Sequence, residues 1–138
     1  ELGRLEEALA MTREMYAEEK AYSGPTSKDT LQLGRNLASL LKRCKLYDEA
    51  KSFIQELLPG MRRTFGEDNI FTLELRGMYG EWVLEDPRRA TRGDIDEALT
   101  ILKDVVLRST RVFGAVHPST RKSQEVLRLL KAARARLA

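Results

Sequence analysis

The chain carries one histidine, His117, and one cysteine, Cys44. A multi-histidine metal site or a paired-cysteine zinc site cannot be built from that inventory. There is no phosphate-binding glycine loop with Lys-Ser/Thr, no Gly-x-Ser-x-Gly elbow and no dinucleotide fingerprint. The acids best paired for proton transfer are Glu6-Glu7, Asp48-Glu49 and Asp96-Glu97. Each pair opens a run of helical periodicity, where the positive helix end stabilises negative charge without any catalytic role. His117 stands before Pro118 at a helix start, the place of a cap, with no nucleophile beside it. Cys44 falls at a helix end on the apolar side and reads as a small buried residue. It cannot close an internal disulfide, which excludes a disulfide scaffold and predicts a reducing, intracellular compartment, cytoplasmic by default. No catalytic residue, metal or cofactor is expected.

Two other sets of side chains could meet a partner. One is a polar row on the second helix: Gln32, Arg35, Asn36, Ser39 and Arg43. Its equivalents further on are Glu74, Gly77, Met78, Glu81 and Glu85, so one half is basic and the other acidic. Such a pair suits a protein segment of mixed charge. The second set is basic: Arg88, Arg89 and Arg92 in a loop, with Arg128, Lys131, Arg134 and Arg136 at the end. These could contact phosphates or an acidic protein surface. No aromatic residues interleave with the last cluster, so base stacking is not indicated and nucleic acid is an unlikely partner. From Pro118 onward there are six basic residues and one acid, against a net charge of +3 for all 138 residues. The basic character therefore belongs to the last helix and not to the whole chain.

The elements that hold these residues repeat. Leu5-Glu6-Glu7-Ala8, Tyr47-Asp48-Glu49-Ala50 and Ile95-Asp96-Glu97-Ala98 share one form, apolar-acid-acid-Ala, at steps of 42 and 48 residues. Gly24, Gly66 and Gly114 keep the same steps, as do Thr30, Thr72 and Thr120. Three markers with identical offsets predict stacked two-helix units. Apolar residues at three- and four-residue steps predict helices over 4–22, 28–44, 46–65, 70–85, 94–113 and 118–137. Ser27 or Asp29 is expected to cap the second. Pro59-Gly60 is expected to kink the third without breaking it. Gly77 is a weak point inside the fourth. The polar stretch 86–93 holds the six additional residues of the longer step and reads as an extended loop. Ala38 and Gly80 share one position, where a small residue admits a neighbouring helix closely. Arg128 and Lys131 replace small and apolar residues there in the last helix, as a terminal helix requires.

The domain expected is thus a single one over 1–138: the second helix of an incomplete repeat at 4–22, repeats at 28–65 and 70–113, and a capping helix at 118–137. The start lacks Met and the first helix lacks its preceding partner, so more chain or another subunit is expected to cover it. No signal peptide and no run long enough to span a membrane is visible. Oligomeric state is not readable.

These residues resemble the tetratricopeptide repeat of the kinesin light chain type. The matching pieces are Asp29-Thr30-Leu31, Asn36-Leu37-Ala38, Tyr47-Asp48-Glu49-Ala50, Phe65-Gly66, Thr72-Leu73, Ile95-Asp96-Glu97-Ala98, Phe113-Gly114 and His117-Pro118-Ser119-Thr120. Asn-Leu-Ala becomes Met78-Tyr79-Gly80 in the next copy, a departure from the pattern. The resemblance implies an all-α fold of antiparallel helix pairs stacked as a short α-solenoid of about six helices. It implies a protein–protein interaction module, with Asn36 in a peptide groove hydrogen-bonding an extended backbone. The alternative is a structural subunit built permanently into a large assembly through its convex faces, its Arg-rich loop and its basic last helix.

Overall fold

The computed structural model describes residues 2–86 and 90–137. They form six helices: α1 Leu2–Ser23, α2 Lys28–Arg43, α3 Tyr47–Phe65, α4 Ile70–Glu85, α5 Arg92–Phe113 and α6 Pro118–Arg136. There is no strand among the described residues, so the fold is all-α and of the helical-repeat class.

The three glycine markers act alike. Gly24, Gly66 and Gly114 have φ of 93°, 93° and 90°. A side chain rarely tolerates that backbone, so glycine ends α1, α3 and α5 at the same kind of turn. The N–H of each returns to the last helical turn, Gly24 to the Lys20 carbonyl, Gly66 to Arg62 and Gly114 to Thr110. The three threonine markers are fully buried. Thr72 Oγ1 donates to the Met61 carbonyl at 3.5 Å, joining the start of α4 to the end of α3.

Contacts divide the chain into two compact units, Glu1–Leu75 and Arg76–Ala138, and α4 gives its first six residues to the former. In the first unit α1 and α3 both pack on α2. Leu9, Leu37, Leu41 and Ala50 are buried together, with Tyr16, Leu40, Cys44 and Phe53 against them. The Tyr16 and Phe53 rings meet edge to face at 5.2 Å. Ala38 is fully buried, and Gly34, one turn earlier, also admits a close neighbour. A Cβ on Gly34 would stand 2.8 Å from Leu57 Cδ2 and 3.2 Å from Tyr16 Cε1. Ser27 is the cap of α2, accepting from Thr30 N–H at 3.1 Å. The other end closes with Lys45 N–H on the Lys42 carbonyl and Leu46 N–H on Leu41, which puts Lys45 at φ 63°. That motif favours glycine at its left-handed residue. α3 runs through Pro59 as one helix. Pro59 is exposed, and Gly60 beside it is buried against Thr26 and Leu31.

In the second unit α5 packs on α6. Tyr79, Trp82, Val83, Ile95, Ala98, Leu102, Val105, Val126 and Leu130 are buried. The extended loop expected over 86–93 is shorter than that. α5 begins at Arg92 because Thr91 and Asp94 form a reciprocal cap: Thr91 Oγ1 accepts from Asp94 N–H at 3.1 Å, and Asp94 Oδ2 accepts from Thr91 N–H at 2.8 Å. Each bond satisfies an amide that a helix end leaves open. Pro118 opens α6 where its missing N–H costs nothing. His117 is its cap, with Nδ1 accepting from Ser119 N–H at 3.1 Å.

Candidate partner-binding surface

Members of the second and third acid pairs bind helices to one another. Arg13 of α1 holds Glu49 with two guanidinium nitrogens, the second at 3.0 Å. That hydrogen bond outweighs partial burial and keeps the Glu49 carboxyl below its ordinary range. Asp96 accepts from Arg134 of α6 at 2.7 Å, and Glu97 from the Tyr79 hydroxyl at 2.8 Å. Among the described residues no group of three or more His, Cys, Asp or Glu could hold a metal ion.

The polar row on α2 is accessible. Gln32, Asn36 and Arg43 are exposed, and Arg35 and Ser39 are half-buried. Arg35 and Glu74 come together, Nη1 to Oε1 at 3.2 Å. The Arg35 guanidinium also lies over the Phe71 ring, 5.0 Å from its centre. Its Nε is buried without a hydrogen-bond partner. A flexible side chain is thus held in one pose by a cation–π contact and an ion pair. The Asn36 carboxamide, one residue on, has no hydrogen-bond partner among the described residues.

The later members of the row lie differently. Met78 and Glu81 are 9% and 8% exposed, and Glu81 pairs with Lys122 of α6 at 3.1 Å. Burial removes both from the freely accessible surface.

The basic set is not one open patch. Arg88 and Arg89 lie outside the described residues. Arg92 donates to the Leu137 carbonyl at 2.8 Å. Arg134 pairs with Asp96 as above, and Arg128 clasps Glu125 at 2.6 and 2.8 Å. Lys131 and Arg136 are exposed.

Two features escape sequence reasoning. Phe71 under Arg35 has no periodic signature, since the partners are on different helices. The other is a partly buried charge cluster: Arg76 Nη1 meets Asp104 Oδ2 at 2.6 Å, and Arg108 Nε meets the same oxygen at 2.9 Å. Burial pushes the Asp104 carboxyl up, but the two guanidinium groups outweigh it and hold the carboxyl below its ordinary range. A signal for it existed, because Arg76 stands 42 residues after Gly34, a large charge in place of a tightly packed glycine.

The tetratricopeptide repeat model, of the kinesin light chain type, matches residues 30–70 and 90–119, just over half of the chain. The chain belongs to the tetratricopeptide repeat family. Repeats of this family are generally protein–protein interaction modules on a generally non-catalytic fold. No curated protein matches the sequence. Among solved structures, the crystal structure of BtubC (BKLC) from P. vanneervenii shares the fold at a TM-score of 0.58 and 18% identity. The match covers 98% of this chain and 58% of that one, so this repeat protein spans little more than half the length of that neighbour. Among the described residues no helix is long and apolar enough to cross a membrane.

Proposed function

We propose that this repeat protein is an adaptor or scaffold that presents the polar face of α2 to an extended segment of a partner protein. The observation that carries the reading is the fixed pose of Arg35 between Phe71 and Glu74, next to the open carboxamide of Asn36. Side chains fixed before binding lose less entropy on association, which is how a shallow polar surface gains affinity. Asn36 offers a donor and an acceptor to a peptide unit. Arg35 and Arg43 supply positive charge for an acidic side chain, and Gln32 and Ser39 supply neutral hydrogen bonds. The binding row is therefore Gln32, Arg35, Asn36, Ser39 and Arg43, with Glu74 holding Arg35 in place.

A permanently assembled subunit would instead use its convex faces, the Arg-rich loop and the basic last helix, where Lys131 and Arg136 are exposed. Within that set Arg92, Arg128 and Arg134 hold internal partners and do not form one open patch with the others. Affinity capture with the full chain, followed by quantitative mass spectrometry, separates the two. Arg35→Ala with Asn36→Ala reduces recovery of an adaptor's partners, and higher salt releases them. Partners kept at constant ratio by that variant, and lost with Arg92→Glu, would establish the assembled subunit.

A further inference from the structure

Asp104 of α5 holds two guanidinium groups, that of Arg76 from α4 and that of Arg108 from one turn further along its own helix. At the repeat offsets Asp104 matches Glu56 of α3, Arg108 matches Gly60 and Arg76 matches Gly34. The carboxylate is kept in the first unit, but glycine stands in place of both arginines. Glu56 has no hydrogen bond and no ion pair among the described residues.

The first unit has room beside that carboxylate. Glu56 and Gly60 line a cavity of about 240 Å³, closed by Tyr16 of α1 and by Leu31 and Leu57. Leu31 and Leu57 are buried and give it an apolar floor. Burial, and after it the negative charge of Glu56, pushes the Tyr16 hydroxyl up, so that charge is felt at the Tyr16 wall. Two cations also border the cavity, Lys20 and Arg63. Lys20 lies over the Tyr16 ring, 5.9 Å from its centre. Arg63 matches Arg111 of α5, and an arginine at that position does not keep Asp104 from holding two guanidinium groups.

We propose that this cavity takes a guanidinium group, with Glu56 as its counter-charge and Leu31, Leu57 and Tyr16 against its hydrocarbon stem. The planar guanidinium matches a carboxylate at two points and lies flat on aromatic rings, which an ammonium group cannot do. The same unit already holds one in that manner, Arg35 over Phe71. Free arginine and an arginine side chain of a partner protein share this chemistry. The cavity shares no residue with the polar row of α2 and does not depend on it.

The probes are L-arginine and N-acetyl-arginine N-methylamide, the second representing an arginine within a chain. They are titrated into the full chain carrying labelled leucine methyls and tyrosine rings, with the blocked lysine and blocked aspartate analogues for comparison. Both arginine probes shift Leu31, Leu57 and Tyr16, and the lysine analogue binds more weakly. Glu56→Gln weakens the arginine probes at least about fivefold. Lys20→Ala strengthens them, because it removes a like charge. Tighter binding of L-arginine than of the blocked form identifies the free amino acid as the ligand, and equal or weaker binding identifies a side chain. Absence of shifts at tens of millimolar probe overturns the proposal, as do shifts that survive Glu56→Gln. Preference for the aspartate analogue, lost with Lys20→Ala, overturns it in favour of an anion.

Discussion

Gly77 and Gly80 lie three residues apart on α4, and alanine at the two positions has opposite effects. A Cβ at Gly77 meets nothing within 4 Å. Gly77→Ala therefore gains only the helix-propensity difference, about 1 kcal/mol. A Cβ at Gly80 would overlap Leu102 Cδ2 and stand 3.1 Å from its Cγ and 3.6 Å from Leu130 Cδ1. Favourable carbon contacts lie at about 3.5–4.0 Å. Leu102 and Leu130 are both fully buried, so neither can swing into solvent to make room. Overpacking of this kind costs about 1–3 kcal/mol. Because the backbone must also yield, the upper part of that range applies, and it exceeds the propensity gain. Gly80→Ala is expected to destabilise by about 1–2 kcal/mol net, which places the two variants about 2–3 kcal/mol apart. The assay is urea unfolding of the full chain followed by helical circular dichroism, with hydrogen exchange at Leu102 and Leu130 to localise the change. Two-state behaviour must be checked first, since repeat arrays can unfold in parts. Stabilisation by Gly80→Ala would refute the close helix approach. Destabilisation by Gly77→Ala would refute the open face.

Three further outcomes follow from named contacts. Asp104→Asn should lower stability by about 1–2 kcal/mol, between the roughly 3–5 for breaking a buried pair and the at most about 1 for a surface pair, because Asp104 is one-third exposed. The folded Asp104 pKa lies below its unfolded value of about 3.9, so its contribution is present above about pH 4 and lost as pH falls further; a variant with an equally steep acid limb would contradict this. Thr91→Ala removes half of the reciprocal cap on α5 and should cost about 1 kcal/mol, visible as faster amide exchange at Asp94 and Ile95. Lys45→Gly relieves a left-handed residue at φ 63° and should raise the urea midpoint by about 1 kcal/mol equivalent, whereas Lys45→Ala should not.

The helix plan was written plainly in the sequence because its signals are local. Gly24, Gly66 and Gly114 stop helices through their own backbone freedom, and Pro118 starts one through its own ring. What escaped was set by neighbours remote in the chain. Whether Met78 and Glu81 face outward depends on what packs beside α4, and Lys122 is 41 residues from Glu81. Phe71 became a platform because α4 lies beside Arg35, which no spacing on either helix announces. The basic residues of the loop and the last helix read as one contact set, but Arg134 reaches back to Asp96 and Arg92 forward to Leu137. Thr91 lies among Pro87, Gly93 and charged residues, a composition that reads as loop. Its pairing with Asp94 three residues later is a capping signature that the sequence did carry.

The central claim, that the α2 face binds an extended segment through Asn36 and Arg35, is tested most directly by calorimetry. Peptides of about nine residues are selected from a display library against the full chain, and the tightest is titrated into wild type, Asn36→Ala and Arg35→Ala at low and high salt. Loss of one hydrogen bond, about 0.5–1.5 kcal/mol, predicts a roughly 2- to 12-fold weaker Kd for Asn36→Ala at either salt. Arg35→Ala should weaken binding at low salt and less at high salt. Equal affinity for all three proteins at both salts would contradict the account.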